Sequence, residues 1–305
     1  MMNQQIPAIR VNGFLDAGKT TYIQDCLKND FFYKKGTTLI LSFEEGEKEY
    51  DEALLKQRRT ALAVCPPEAD IEAFITESVR KHTPDRLYLE MNAMLEIETV
   101  LPAWVRVDFS VSLISGDTLA LYYNNMRQFF QNMICASQQV IFNRCEKQLL
   151  SSYGNVFRVM NSKAVYLWEG PTGYHEKAFG VMVPYELDRE RIRLSEEDFT
   201  AFYLDALEAP EHYEGKTLVF TAEILKNTDE DTIKAGRRVM TCCIADIQHL
   251  GFPCETGGHE FTEGMWIRLT AKGRLRTDRY GRKSLWLIPK QCESVPRPEH
   301  AVIGL

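Results

Sequence analysis

The sequence predicts two domains: an α/β domain with a mostly parallel sheet, and a small all-β, OB-like barrel with a leading helix. Three observations predict it. In the first half, apolar strand-like runs alternate with helix-like segments. A glycine-rich loop, "GFLDAGKTT" (Gly13 to Thr21), follows the first run and opens the first helix. Beyond about residue 181, one amphipathic helix is followed by short strands of period-two alternation. The expected domains are residues 1–180 and 181–305, with the boundary in "EKAFGVMVPYE".

Each element has its own warrant. "AIRVN" is a strand running into the loop, and "TTYIQDCL" continues with helical spacing. "TTLILSF" is a buried strand by its leucine and β-branched content. "PEADIEAFITESVRKHT" has helical apolar spacing and acids in its first turn. "RLYLEM", "DFSVSLIS", "QQVIFN" and "AVYLWEG" read as further strands. In the second half, "EEDFTAFYLDALEAPEHYEGK" is one helix ending near Pro210 and a glycine turn. "KTLVFTAEIL" then places Leu218, Phe220, Ala222 and Ile224 on one face, with Thr217, Thr221 and Glu223 on the other. "RRVMTCCIADI", "GMWIRLTAKGRL" and "KSLWLIPKQCESV" follow, with "TDRYGRK" as a hairpin tip.

Composition narrows the class. The 305-residue chain can bury two cores. Its formal charge of −7 argues against a surface built wholly for nucleic acid. No basic start leads into a hydrophobic segment, and no apolar run reaches the roughly 20 residues of a spanning helix. Eight thinly spread cysteines read as reduced thiols, so a cytoplasmic protein is expected.

Gly13-x4-Gly18-Lys19-Thr20 satisfies the phosphate-loop pattern G-x-x-x-x-G-K-[ST]. Backbone N–H groups from Gly13 through Asp16, Ala17 and Gly18 to Thr21 would cradle phosphate oxygens at a helix N-terminus. Lys19 would reach the β- and γ-phosphates, and the Thr20 hydroxyl would bind Mg²⁺. Glu90, at the end of an apolar strand, suits Mg²⁺ or its waters. Asn143 and Glu146 follow another apolar strand, where paired hydrogen bonds can read a purine edge.

These segments carry a resemblance. "PAIRVNGFLDAGKTTYIQDCL" is similar to the opening of the CobW-like GTPases, relatives of the metallochaperones HypB and UreG. "SFEEGEKEYDEALL" resembles the family's N-E-F-G-E-x-x-x-D segment at Glu44, Gly46, Glu47 and Asp51. "DRLYLEMNA" resembles its E-x-x-G motif at Glu90, and "QQVIFNRCE" its N-K-x-D at Asn143. The resemblance runs to about residue 170. It implies a GTP/GDP-binding, Mg²⁺-dependent P-loop NTPase fold, Lys19, Glu90 and Asp51 in catalysis, a homodimer, and a metal-receiving client.

Departures from the family pattern qualify that picture. Asp16 stands where glycine is usual, and its carboxylate is expected to point away from phosphate. Ala93 replaces the glycine of E-x-x-G, which blunts a switch and leads us to expect slow hydrolysis. Arg144 replaces lysine but keeps an aliphatic stem for the base, and Glu146 is one methylene longer than aspartate. The family's C-x-C-C motif is reduced to Cys65. Glu44, Glu47 and Cys65 are candidate ligands for zinc or another transition metal, against the simpler reading of Cys65 as a small buried hydrophobe.

The C-terminal half has its own cluster in "TCCIADIQHLGFPCETGGHEF". Cys242 and Cys243, adjacent on a strand, point to opposite faces, and with His249, Cys254 and His259 they match no tight zinc spacing. Residues of about 190–298 resemble a soluble domain that usually ends subunits of two-part membrane permeases. Tyr213, Gly215, Lys216, Arg238, Cys242, Cys243, Ala245, Asp246 and Trp266 carry that resemblance, which implies a membrane permease as a partner. The strip Arg268, Lys272, Arg274, Arg276, Arg279, Arg282 and Lys283, interleaved with Trp266 and Tyr280, is locally basic. A solvated hairpin face explains it better than nucleic-acid binding, because the chain is acidic elsewhere.

Overall fold

The computed structural model describes residues 5–29, 35–44, 46, 48–95, 101–170, 173–175, 181, 183–227, 231–241 and 247–304. The chain divides into two compact units, Met1–Leu150 with Lys163–Phe179, and Ser151–Ser162 with Gly180–Leu305.

In the first unit the elements are β1 (Ile6–Gly13), α1 (Lys19–Lys28), β2 (Thr38–Ser42), α2 (Glu52–Gln57), β3 (Thr60–Val64), α3 (Ile71–His82) and β4 (Arg86–Asn92). They continue with β5 (Val105–Ser115), α4 (Gly116–Asn125), α5 (Arg127–Cys135), β6 (Gln139–Asn143), α6 (Lys147–Met160, whose greater part groups with the second unit), β7 (Val165–Gly170) and β8 (Gly173–His175). The sheet order is β3-β2-β4-β1-β5-β6-β7-β8. The first seven strands are parallel, and β8 returns antiparallel on β7.

Why these segments are strands follows from their burial. Every residue of β2 is buried, as expected of a central parallel strand covered on both faces. In β4 the period of two sorts side chains cleanly. Leu87, Leu89 and Met91 enter a core with Ile75 and Val79 of α3. Tyr88 enters the opposite core with Ile23 and Leu27 of α1, and Glu90 shares that face. Alternation therefore delivers a carboxylate to the side of the sheet where α1 begins.

The second unit carries β9 (Arg191–Arg193), α7 (Asp198–Glu208), β10 (Thr217–Asn227), β11 (Thr232–Met240), β12 (Gln248–Glu255), β13 (Trp266–Thr277), β14 (Lys283–Ser294) and β15 (Val302–Gly304). The order β11-β12-β14-β13-β10 closes through a β10–β11 pairing into a five-stranded barrel. This is the Greek-key connectivity of an OB-like barrel, flanked by β9 and β15. Leu218, Phe220, Ala222 and Ile224 are all buried inside, as the alternation predicts.

Phe202 of α7 plugs the barrel, with ring centroids 4.9 Å from Phe252 and 5.0 Å from Tyr213. The hairpin tip accounts for its own turn, since the Asp278 carboxylate accepts from the N–H groups of Tyr280 and Arg282. Among the described residues no helix is long and apolar enough to cross a membrane.

Candidate functional site

The C-terminal ends of β1, β2, β4, β5 and β6 bring Gly13, Ser42, Glu90, Ser115 and Asn143 to one edge of the sheet. Register fixes this: Val11 pairs with Glu90, Ser42 with Glu90, and Ser115 with Asn143. Ligands of open α/β sheets bind at this edge. A cavity of about 420 Å³ lies there, lined by the phosphate-loop residues Asp16 to Thr21 except Ala17, with Glu44, Lys48, Asp117 and Arg144 among its walls.

The loop has the backbone its motif demands. Gly18 adopts φ 92° at the start of α1. Asp16 adopts φ 58°, also left-handed, which explains why glycine is usual here and why aspartate, one of the few side chains at ease there, replaces it. The Asp16 side chain is exposed, and its carbonyl accepts from Arg144 Nη2. Replacing Asp16 by glycine should therefore leave the affinity for a nucleoside triphosphate within about twofold, because an exposed carboxylate is well screened. Calorimetric titration checks this, and a large gain in affinity would place the carboxylate against the phosphates.

Lys19 is 3% exposed. Its ammonium donates to the carbonyls of Phe14 (2.7 Å) and Gly13 (3.0 Å) and pairs with Glu44 Oε1 at 2.5 Å. Burial pushes the Glu44 carboxyl above its ordinary range, Lys19 opposes that shift, and the neighbouring Glu90 adds to it. Asn92 Nδ2 holds the other Glu44 oxygen at 3.0 Å. The Gly13 carbonyl also accepts from the Ala93 N–H at 3.0 Å, so the amide that replaces the switch glycine is engaged by the loop.

Thr20 Oγ1 donates to Glu90 Oε1 at 2.8 Å, and the Tyr50 hydroxyl donates to Oε2 at 3.0 Å. Burial and then the Glu90 charge raise the Tyr50 pKa, keeping its hydroxyl protonated. Thr20 and Glu90 form a compact, all-oxygen donor pair beside the phosphate loop, and this fits Mg²⁺. Bound there, Mg²⁺ would supply charge neutralisation for phosphate oxygens. Thr21 Oγ1 accepts from Lys48 Nζ at 2.8 Å, so Lys48 joins Lys19 and Arg144 as a cation of the cavity.

Asn143 lies under the loop, its Nδ2 donating to the Ala17 carbonyl at 2.6 Å while its Oδ1 is buried with no partner. Arg144, left-handed at φ 49°, spans the cavity rim. Its guanidinium bonds Ser115 Oγ (2.9 Å), the Asp117 carboxylate (2.8 Å) and the Asp16 carbonyl. Gly116 permits the approach, because a Cβ there would lie 2.3 Å from the Arg144 carbonyl oxygen. Glu146 is exposed ahead of α6 and does not line the cavity. Asp51 is also outside it and caps α2, its side chain accepting from the N–H groups of Ala53 and Leu54.

The transition-metal set does not assemble in the same way. Cys65 directly follows β3, half-buried against the α3-side core, and burial raises its thiol pKa. Glu47 lies outside the described residues, as do Cys242, Cys243, Ala245 and Asp246. Among the described residues no group of three or more His, Cys, Asp or Glu side chains gathers to hold a metal ion. Sequence reasoning missed Lys48, Tyr50, Asn92, Ser115 and Asp117. Only Asn92 had a signal, being two residues beyond Glu90 on the same strand face.

Parallel sheet, phosphate loop and helix together define a P-loop NTPase fold, here joined to an OB-like barrel. Residues 172–301 match the family described as the DUF1980 C-terminal domain. No curated protein matches the chain in sequence. The structure of the hydrogenase maturation factor HypB from Archaeoglobus fulgidus is similar at 11% identity, over 53% of this chain and 80% of that one, with a TM-score of 0.39. A Zn(II)-bound triple mutant of the YjiA GTPase is similar at 15% identity over 74% of each chain, with a TM-score of 0.42. HypB from Helicobacter pylori in complex with nickel is similar at 10% identity, over 53% of this chain and 78% of that one, with a TM-score of 0.37.

Proposed function

We propose that the chain is a Mg²⁺-dependent GTP-binding protein, a slow GTPase whose nucleotide state controls delivery or transport of a metal or cofactor. The observation that carries it is the buried Lys19 ammonium, set between loop carbonyls and Glu44 beside the Thr20–Glu90 pair. Gly18, Lys19, Thr20 and Thr21 would hold the phosphates, and Thr20 with Glu90 the Mg²⁺. Asn143 would read the base through its unpartnered Oδ1. Guanine, a homodimer and a metal-receiving client come from the resemblance to CobW-like GTPases.

A second reading is a nucleotide sensor with weak turnover that docks on a membrane permease. The bond between the Ala93 N–H and the Gly13 carbonyl favours it, since an amide so engaged is not free to follow a γ-phosphate. Calorimetric titration with GTP and ATP in Mg²⁺, with and without Zn²⁺, tests both. Tight GTP binding that Zn²⁺ alters supports the metal-linked GTPase. Metal-indifferent binding with negligible turnover supports the sensor, and the absence of nucleotide binding overturns both.

A further inference from the structure

The basic strip of β13 divides in two once the strands are paired. Toward the hairpin tip two of its arginines are ion-paired, Arg276 with Glu255 and Arg282 with Asp278. Arg276 also lies over the Trp286 ring, 3.7 Å from its centroid. At the other end, Arg268 and Lys272 point away from the core, because their neighbours Leu269 and Ala271 are fully buried. Two more arginines join them from a strand about seventy-five residues earlier.

Register makes this neighbourhood explicit. Arg191 of β9 lies opposite Thr217 of β10, which lies opposite Lys272. One row along, Arg193 is opposite Val219, then Thr270, then Gln291 of β14. In the third row Thr221 is opposite Arg268, and Arg268 is opposite Glu293. Ile192, between the two β9 arginines, is buried in the barrel core, so Arg191 and Arg193 share the outer face.

A cleft of about 410 Å³ forms there, with Arg191, Arg193, Arg268, Thr270, Gln291 and Glu293 among its walls. A neighbouring cavity of about 640 Å³ shares Arg191 and Arg193. Three arginines and one carboxylate thus line the cleft, with Lys272 on the same outer face, on a chain whose formal charge is −7. Arg191, Arg193, Arg268 and Lys272 have no ion-pair partner among the described residues. Gathering like charges across neighbouring strands costs stability unless an anion sits among them.

We propose that the outer face of β9, β10, β13 and β14 binds a compact polyphosphate group, held by Arg191, Arg193 and Arg268 and separate from the phosphate loop. The chemistry favours phosphate. Guanidinium forks match phosphate oxygens two at a time, and the Thr221, Thr270 and Gln291 side chains supply further donors. The strands β9 and β13 flank β10, so their backbones lie about 10 Å apart, a span that arginine side chains close over a small anion from both sides. The only aromatic wall residue is Phe220, which is buried, so the cleft offers no platform on which bases could stack.

The test is titration of inorganic tripolyphosphate into the full chain carrying Lys19→Ala, which disarms the phosphate loop. Saturable binding is expected, weakened about tenfold or more when Arg193→Gln and Arg268→Gln are added together, and weakened steeply by salt. Arg193→Lys with Arg268→Lys should give an intermediate loss, because the charge stays while the fork goes. Near-ultraviolet circular dichroism verifies that each variant keeps its packed barrel. Absence of saturable binding, or binding that the glutamine variants leave unchanged, overturns the proposal. Equal binding of citrate overturns the choice of phosphate. Binding of a single-stranded oligonucleotide that tripolyphosphate does not displace overturns it in favour of nucleic acid.

Discussion

Lys19→Ala is expected to weaken GTP binding by about ten- to a hundredfold, since charge-assisted bonds to phosphate contribute roughly 1.5–3 kcal/mol and each 1.4 kcal/mol is a factor of ten. The ammonium is already aimed by the Phe14 and Gly13 carbonyls, so little ordering is left to do on binding. Alanine also leaves the buried Glu44 carboxylate without its counter-ion, so a lower melting temperature is expected alongside. Lys19→Arg separates the two effects. It keeps the charge for Glu44 but places a planar fork where a compact ammonium fits between two carbonyls. Its melting temperature should recover while its GTP affinity stays low. Unchanged GTP affinity in Lys19→Ala would remove the phosphate-loop assignment.

Glu44→Gln should act in the opposite direction, tightening GTP binding by about tenfold while leaving GMP unaffected, because an amide competes less well than a carboxylate for Lys19. In the structure Glu44 holds the lysine that a terminal phosphate must recruit, and Asn92 holds Glu44 in place. Any triphosphate has to displace that carboxylate before it gains the ammonium. GMP has no β- or γ-phosphate to compete with it, so the ratio of the two affinities isolates the effect from general changes in the loop. Equilibrium titration of both nucleotides on both proteins checks it. A loss of GTP affinity instead would mean that Glu44 helps to hold the bound state.

The parts of this site legible in the sequence are those written in local spacing. The loop was readable because four intervening residues and a strand–helix context are a purely local pattern. Glu90 was readable because a carboxylate at the end of a buried run has few other uses. Four of the five barrel strands were readable from alternation, and Leu218, Phe220, Ala222 and Ile224 are buried as that alternation requires, whereas β12 was read only as part of a cysteine–histidine cluster. What stayed hidden depends on strand order. Tyr50 reaches Glu90 and Lys48 reaches Thr21 only once β2 lies beside β4 and β4 beside β1. Arg144 meets Ser115 and Asp117 because β5 neighbours β6. Asp51 shows the limit of a matched motif. Its similarity to a GTPase segment suggested chemistry, whereas its position before "EALLKQ" suits a helix cap, and that is where its side chain is used.

The barrel closes unevenly, and this shapes how it breathes. Strands β13 and β14 are paired along their length, from Ile267 with Ser294 to Thr277 with Lys283. Between β12 and β14 the ladder is one parallel pair, Cys254 with Leu287. Opening free energies follow the local density of such bonds, so this seam is expected to open before the hairpin does, which hydrogen exchange would check. Cys254 sits in that seam, and burial pushes its thiol up to about 12, which keeps it inert while the seam is shut. A parting that hydrated the thiol would restore its ordinary acidity. The alkylation rate of this sulfur is therefore expected to report how often the wall opens.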